Sequence, residues 1–192
     1  TREQAQSFID DRGIVSLFSG TEIPSIQEAI EGTLGADADE GTIKSGFGIA
    51  WIWARDLPDP SRCMFCLFLR EKPTFIARPY WASFIALGSP DYHQARKKKR
   101  ISAMAYQMAG YIEAQGPVPG GLLPKALGHT GRTGGQIYRR TRRELEKQGL
   151  ILPIGMAGHG RGPDPYIWEL AGRWLPPPVL EEAQAISPQK AM

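Results

Sequence analysis

The stretch at residues 136–149 restricts the fold more than any other. Ile137, Thr141, Leu145 and Gln148 follow one another at spacings of four, four and three residues, which puts them on one helical face. Arg139 and Arg143 then lie roughly opposite that stripe, with Gln136 and Lys147 beside them. Arg140 lies within the same stretch and Arg132 in the turn before it. Gly149 ends the helix, as glycine commonly does just past a C-terminus. Such a helix lays its apolar stripe on a core and turns its guanidinium groups outward, to water or to a polyanion. Only Glu144 and Glu146 offer intrahelical partners, so the pattern favours insertion into a groove.

The flanking sequence supplies the core. Ile101, Met104, Ala105, Met108 and Ile112 recur at helical spacing, and that helix stops near Gly116-Pro117 because proline disfavours helix in the residue before it. A brief second helix fits within 119–128, with Leu122, Leu123, Ala126 and Leu127 as its apolar set. Pro124 is tolerable there only in the first turn. Residues 129–135 read as a glycine-rich turn. Two short β-rich runs, 150–154 and 166–170, flank a Gly/Pro loop and predict a hairpin with a long tip. Three helices, a strand, a basic loop and a strand, in that order, resemble a winged helix-turn-helix over residues 99–175. The resemblance implies that the third helix enters the major groove while the wing meets the neighbouring minor groove or backbone. Arg and Gln side chains at the helix front would read base edges. His159 and Arg161 at the loop tip would meet phosphate or a narrow minor groove, and Lys97, Lys98, Lys99 and Arg100 would hold phosphates. The expected DNA-binding set is therefore these six with Arg132, Gln136, Arg139, Arg140, Arg143 and Lys147.

Charge agrees with that division. Residues 1–95 carry 8 basic and 13 acidic side chains, residues 96–175 carry 14 and 5, and residues 176–192 carry one and two. A surplus of nine positive charges over 80 residues draws polyanions. The longest apolar run, 63–69, is far short of the ~20 residues a membrane helix needs. Two cysteines cannot form a disulfide framework. The expectation is a soluble cytoplasmic protein with no membrane association.

The N-terminal half reads as mixed α/β: strands at 13–18, 47–54, 62–70 and 74–77, helices at 21–32 and 79–88. Trp51 and Trp53 would share a strand face. Cys63-Met-Phe-Cys66 has C-x-x-C spacing, but zinc needs two more ligands and no other cysteine exists. A redox pair belongs at a helix N-terminus rather than mid-strand, so core packing is the reading. Asp37, Asp39 and Glu40 fit a solvated loop. His93, His129 and His159 lack ligand spacing, and no metal or cofactor is expected.

The runs Phe8-Ile-Asp-Asp-Arg-Gly-Ile-Val-Ser-Leu-Phe18, Ile23-Pro-Ser-Ile-Gln-Glu-Ala-Ile-Glu-Gly32 and Trp51-Ile-Trp-Ala-Arg-Asp-Leu-Pro58 resemble uncharacterised bacterial proteins grouped near the winged-helix DNA glycosylases of the AlkZ type. That resemblance implies a role near DNA repair. Those enzymes carry a Gln-x-Gln or Gln-x-Asp motif. Gln4-Ala-Gln6 matches its letters from a polar start outside the winged helix, so no catalytic residue is assigned.

The sequence thus predicts an α+β protein. A small mixed α/β unit spans 1–95, a winged helix-turn-helix domain 96–175 and a Pro-rich flexible tail 176–192. The favoured function is non-enzymatic binding of double-stranded DNA, with transcriptional regulation as its setting and the N-terminal unit as a dimerisation, protein-partner or ligand module. Two alternatives stay open: a DNA-repair enzyme of the AlkZ-related kind acting on damaged bases, and a winged helix used for protein contact.

Overall fold

A computed structural model describes residues 1–34, 46–67, 69, 71–88, 90–157 and 164–186. The described residues are mixed α and β, with two three-stranded sheets. The chain divides into two compact units, Thr1–Tyr80 and Trp81–Met192.

In the first unit, α1 (Arg2–Arg12) starts under a capping box in which the Thr1 hydroxyl accepts from the Gln4 N–H. It ends at Gly13, whose φ of 77° is a left-handed value suited to glycine. β1 (Ile14–Ser16) follows at once. β2 (Cys63–Cys66) and β3 (Thr74–Ala77) complete an antiparallel sheet in the order β1-β3-β2. Val15 pairs with Phe75, and Phe75 with Phe65. All four residues of β2 are buried, and both cysteines lie inside it with no disulfide between them. Burial pushes the Cys63 thiol well above its usual range, and the negative charge of Asp10 adds to that, so the thiol stays protonated and packs as an apolar group.

Helix α1 was absent from the sequence reading, and two further elements of this unit differ from expectation. Helix α2 (Ile26–Leu34) begins five residues later than 21. Pro24 keeps the residue before it out of the helical region, and Ser25 supplies the cap, its Oγ accepting from the Glu28 N–H at 3.1 Å and donating to Glu28 Oε2 at 2.7 Å. The stretch 47–54, expected as a strand, is helix α3 (Gly46–Asp56). Its buried residues are Gly46, Ala50 and Ala54, four apart. A stripe of small residues at that period lets a helix lie close on a neighbour, and the bulky Ile and Trp residues between them had mimicked β alternation. Trp51 and Trp53, two apart, consequently diverge. Trp51 meets Phe18 at 5.2 Å between ring centroids. Trp53 lines an apolar cavity of about 410 Å³ with Phe8, Ile26 and Ile30.

The second unit opens with α4 (Trp81–Ala86) and α5 (Tyr92–Lys97), the latter capped by Asp91. Helix α6 (Ala103–Gln115) buries Ala105, Met108, Ala109 and Ile112. Two residues, Val118–Pro119, form β4, a strand absent from the sequence reading. It is so short, and its proline so poor a ladder donor, that only its pairing with β6, Val118 with Trp168 and Pro119 with Ile167, marks it. α7 (Leu123–Ala126) carries Pro124 in its first turn, the one place it is tolerated. α8 (Gly131–Lys147) is longer than expected, because the glycines at 131–135 belong to its first turns. Gly134 is needed there: a Cβ at that position would overlap the backbone of His129. β5 (Ile151–Met156) and β6 (Tyr166–Leu170) pair antiparallel, giving the sheet order β4-β6-β5. α9 (Ala171–Trp174) and α10 (Pro177–Ala185) follow. Trp174 packs on Trp81 at 5.6 Å, and α10 packs along α4.

Candidate nucleic-acid interface

The inner side of α8 explains its outer side. Tyr138, Thr141, Leu145 and Glu146 are buried, and Ile137 and Gln148 lie half-buried at the margin. Tyr138 therefore takes the central place that the spacing had given to Ile137. Its hydroxyl donates to Asp164 Oδ2. The same carboxylate accepts from Arg142 Nη1 at 3.1 Å and from Trp168 Nε1 at 3.1 Å, and its other oxygen accepts from the Tyr166 N–H at 3.3 Å. Arg142 also places Nε 3.0 Å from Glu146 Oε1, and its guanidinium lies over the Trp168 ring at 5.2 Å. A carboxylate at 5% exposure with this many donors is a fully satisfied buried group.

Electrostatics follow from that cluster. Burial raises the Tyr138 phenol pKa far above its ordinary value, and the charge and hydrogen bond of Asp164 raise it further. Burial and then Asp164 do the same for Tyr166. For Arg142 burial works against the charge, but the Glu146 and Asp164 carboxylates outweigh it, so its pKa stands above the usual value. The cluster thus holds α8 against β6 through one neutral phenol, one guanidinium and two carboxylates. Sequence reasoning missed it. The Arg142–Glu146 spacing of four was the available signal, whereas Asp164 lies between two prolines where nothing marks it.

Turning Arg142 and Glu146 inward leaves the other side basic. Arg132, Gln136, Arg139, Arg140, Arg143 and Lys147 are all exposed, and their spacing places them along one broad face of α8. Among the described residues, no carboxylate pairs with Arg132, Arg139 or Arg140. The remaining acid of the helix, Glu144, accepts from the Ser102 N–H at 2.5 Å and from Ser102 Oγ at 2.8 Å, which ties α8 to the start of α6.

That tie also relates α8 to the basic run. Lys97, Lys98, Lys99 and Arg100 are exposed where α5 ends, and Lys99 has a φ of 57°. Arg96, Lys97 and Lys99 line an open basin whose other walls include Ser102 and Glu144. Arg140 and Lys147 stand about one helical turn to either side of Glu144. The run and the α8 face therefore border one another. His159 and Arg161 lie outside the described residues. No group of three or more His, Cys, Asp or Glu among the described residues could hold a metal ion, and no described helix is long and apolar enough to cross a membrane.

Comparison with known proteins places this site in a family. The profile of a family described as AlkZ related matches residues 1–192, so the likeness drawn from residues 8–58 extends over the whole chain. No curated protein and no solved structure matches. The family hints at a function related to DNA repair, with DNA interaction as part of it, and gives no support to the transcriptional regulator expected from the sequence. With its profile matched from end to end, this chain belongs to the AlkZ-related family.

Proposed function

We propose that residues 96–175 are a winged helix-turn-helix that binds double-stranded DNA, and that the protein serves DNA repair through it. The element order α6, β4, α7, α8, β5, β6 with the sheet order β4-β6-β5 supports the fold reading. In it α8 is the helix that enters the major groove. The observation that carries the function is the segregation of charge on α8. Glu146 is buried and pairs with the half-buried Arg142, while five cations and Gln136 occupy the exposed side. Arg139 and Arg143 reach base edges, with arginine suited to guanine and Gln136 to adenine. Lys97, Lys98, Lys99 and Arg100 neutralise phosphates and set the position along the duplex.

The test is duplex binding by the wild type and by the Arg139→Ala/Arg143→Ala double variant. Both positions are exposed, so the variant keeps its circular dichroism and melting temperature. It loses at least tenfold in affinity, since each good arginine–base contact contributes about 1–3 kcal/mol. Equal affinity of the two proteins would refute the assignment. A second reading, excision of damaged bases, draws its support from the family match. An abasic-site assay on alkylated duplex separates the two, because binding alone leaves every glycosidic bond intact.

A further inference from the structure

Next to the basic run lies a group of rings that duplex binding does not employ. Helix α5 carries Tyr92 and His93, and α6 carries Tyr106. Their centroids are 4.1 Å (Tyr92–His93), 5.3 Å (Tyr92–Tyr106) and 5.6 Å (His93–Tyr106) apart. Tyr92 is buried and anchored, its hydroxyl donating to Glu113 Oε2 at 2.6 Å. His93 is exposed and Tyr106 half-buried. His93 rests one face on Tyr92, and its Nδ1 lies 3.1 Å from the Tyr106 hydroxyl. The imidazole is thus held in place with its outer face toward solvent.

The position of these rings matters as much as their exposure. His93 precedes Arg96 and Lys97 by about one turn of α5, and Tyr106 follows Ser102 by about one turn of α6. Arg96, Lys97, Lys99 and Ser102 line the open basin. A flat ring and a cationic basin therefore stand about one helical turn apart along α5. The acids nearby are engaged by internal donors. Asp91 Oδ1 accepts the backbone N–H groups of His93 and Gln94, Glu113 accepts the Tyr92 hydroxyl, and Glu144 is held by Ser102. Inside a duplex, bases are stacked on one another and offer no free face, so this platform suits only unpaired nucleotides.

We infer that the exposed face of His93, backed by Tyr92 and Tyr106 and flanked by the 96–99 cations, stacks an unpaired base beside the bound duplex, so that the preferred substrate is DNA with a single-stranded flank. This rests on the duplex-binding reading above. The test uses fluorescence anisotropy with the full chain and two probes, a blunt duplex and the same duplex bearing a short oligothymidine flank. The wild type binds the flanked probe about tenfold more tightly, the lower part of what one stacked base provides. His93→Ala loses that preference and keeps its affinity for the blunt duplex. His93→Phe, which restores a ring without the imidazole nitrogens, retains the preference. Equal affinity of the wild type for both probes would overturn the inference and leave duplex binding standing. So would a preference that survives in His93→Ala or disappears in His93→Phe. Failure to bind either probe would overturn both.

Discussion

Removing the Asp164 carboxylate should be among the most damaging single changes in the second unit, and its size can be worked from the partners. Asp164→Ala strands the Tyr138 hydroxyl and the Trp168 N–H in a buried site and deprives Arg142 of one of its two carboxylates. Breaking a buried ion pair by deleting one member costs about 3–5 kcal/mol, and each stranded neutral donor about 1–3 kcal/mol. These terms overlap because the groups form one network, and Glu146 still compensates Arg142. The expected loss is therefore about 3–5 kcal/mol rather than the sum, which is a large share of ordinary domain stability. Asp164→Asn keeps acceptors for Trp168 and Tyr138 but drops the charge that faces Arg142, and loses about 1–3 kcal/mol. Tyr138→Phe removes one donor from a carboxylate that keeps its other partners, and loses about 1 kcal/mol. Urea unfolding followed by far-UV circular dichroism measures all three. The reasoning fails if Asp164→Ala costs less than about 1 kcal/mol, or no more than Tyr138→Phe, because either result would mean that the network does not hold α8 to β6.

Three further outcomes follow from the same geometry. Unfolded tyrosines ionise near pH 10, and Tyr138 and Tyr166 have folded values above that. Their contribution is fully present below about pH 10 and is lost as pH rises toward the folded values, so stability falls there by about 1.4 kcal/mol per pH unit for each phenol; Tyr138→Phe makes that alkaline fall shallower in pH-dependent unfolding. Gly134→Ala drives a methyl into the His129 backbone and lowers stability by about 1–3 kcal/mol. Gly135→Ala, one residue on with nothing within 4 Å, gains about 0.5–1 kcal/mol of helix propensity, and a thermal melt that ranks the two variants the other way contradicts the packing of the first turn of α8.

The parts that were legible in the sequence are those where one local pattern had no competitor. The exposed cations of α8 followed from spacing and from a lack of acids around them. Pro124 could occupy only a first turn, and it does. β5 and β6 came from β-rich runs with a Gly/Pro break between them. Where two patterns overlapped, the reading failed. Residues 47–51 alternate bulky and small side chains and Trp51 and Trp53 stand two apart, which looks like a strand, yet Gly46, Ala50 and Ala54 also mark a helix stripe, and tertiary packing chose the helix. The glycines at 131–135 looked like a turn because intrinsic propensity is against them, but close approach to His129 requires glycine at 134 inside the helix. Asp164 was invisible because a buried tie is made by partners 22 and 26 residues away, and no local period records it. His159 and Arg161 were read as tip residues and lie outside the described residues.

The central claim is that the basic side of the second unit holds duplex DNA. Lys97, Lys98, Lys99, Arg100, Arg132, Arg139, Arg140, Arg143 and Lys147 are the exposed cations that can meet it. If about six of them neutralise phosphates, the logarithm of the association constant falls against the logarithm of salt concentration with a slope near −5. A salt titration of duplex binding reads that slope directly. A value near −5, made shallower by about one for each of Lys97 and Lys99 replaced with alanine, is the predicted result. A flat response, or no binding at low salt, would contradict the account.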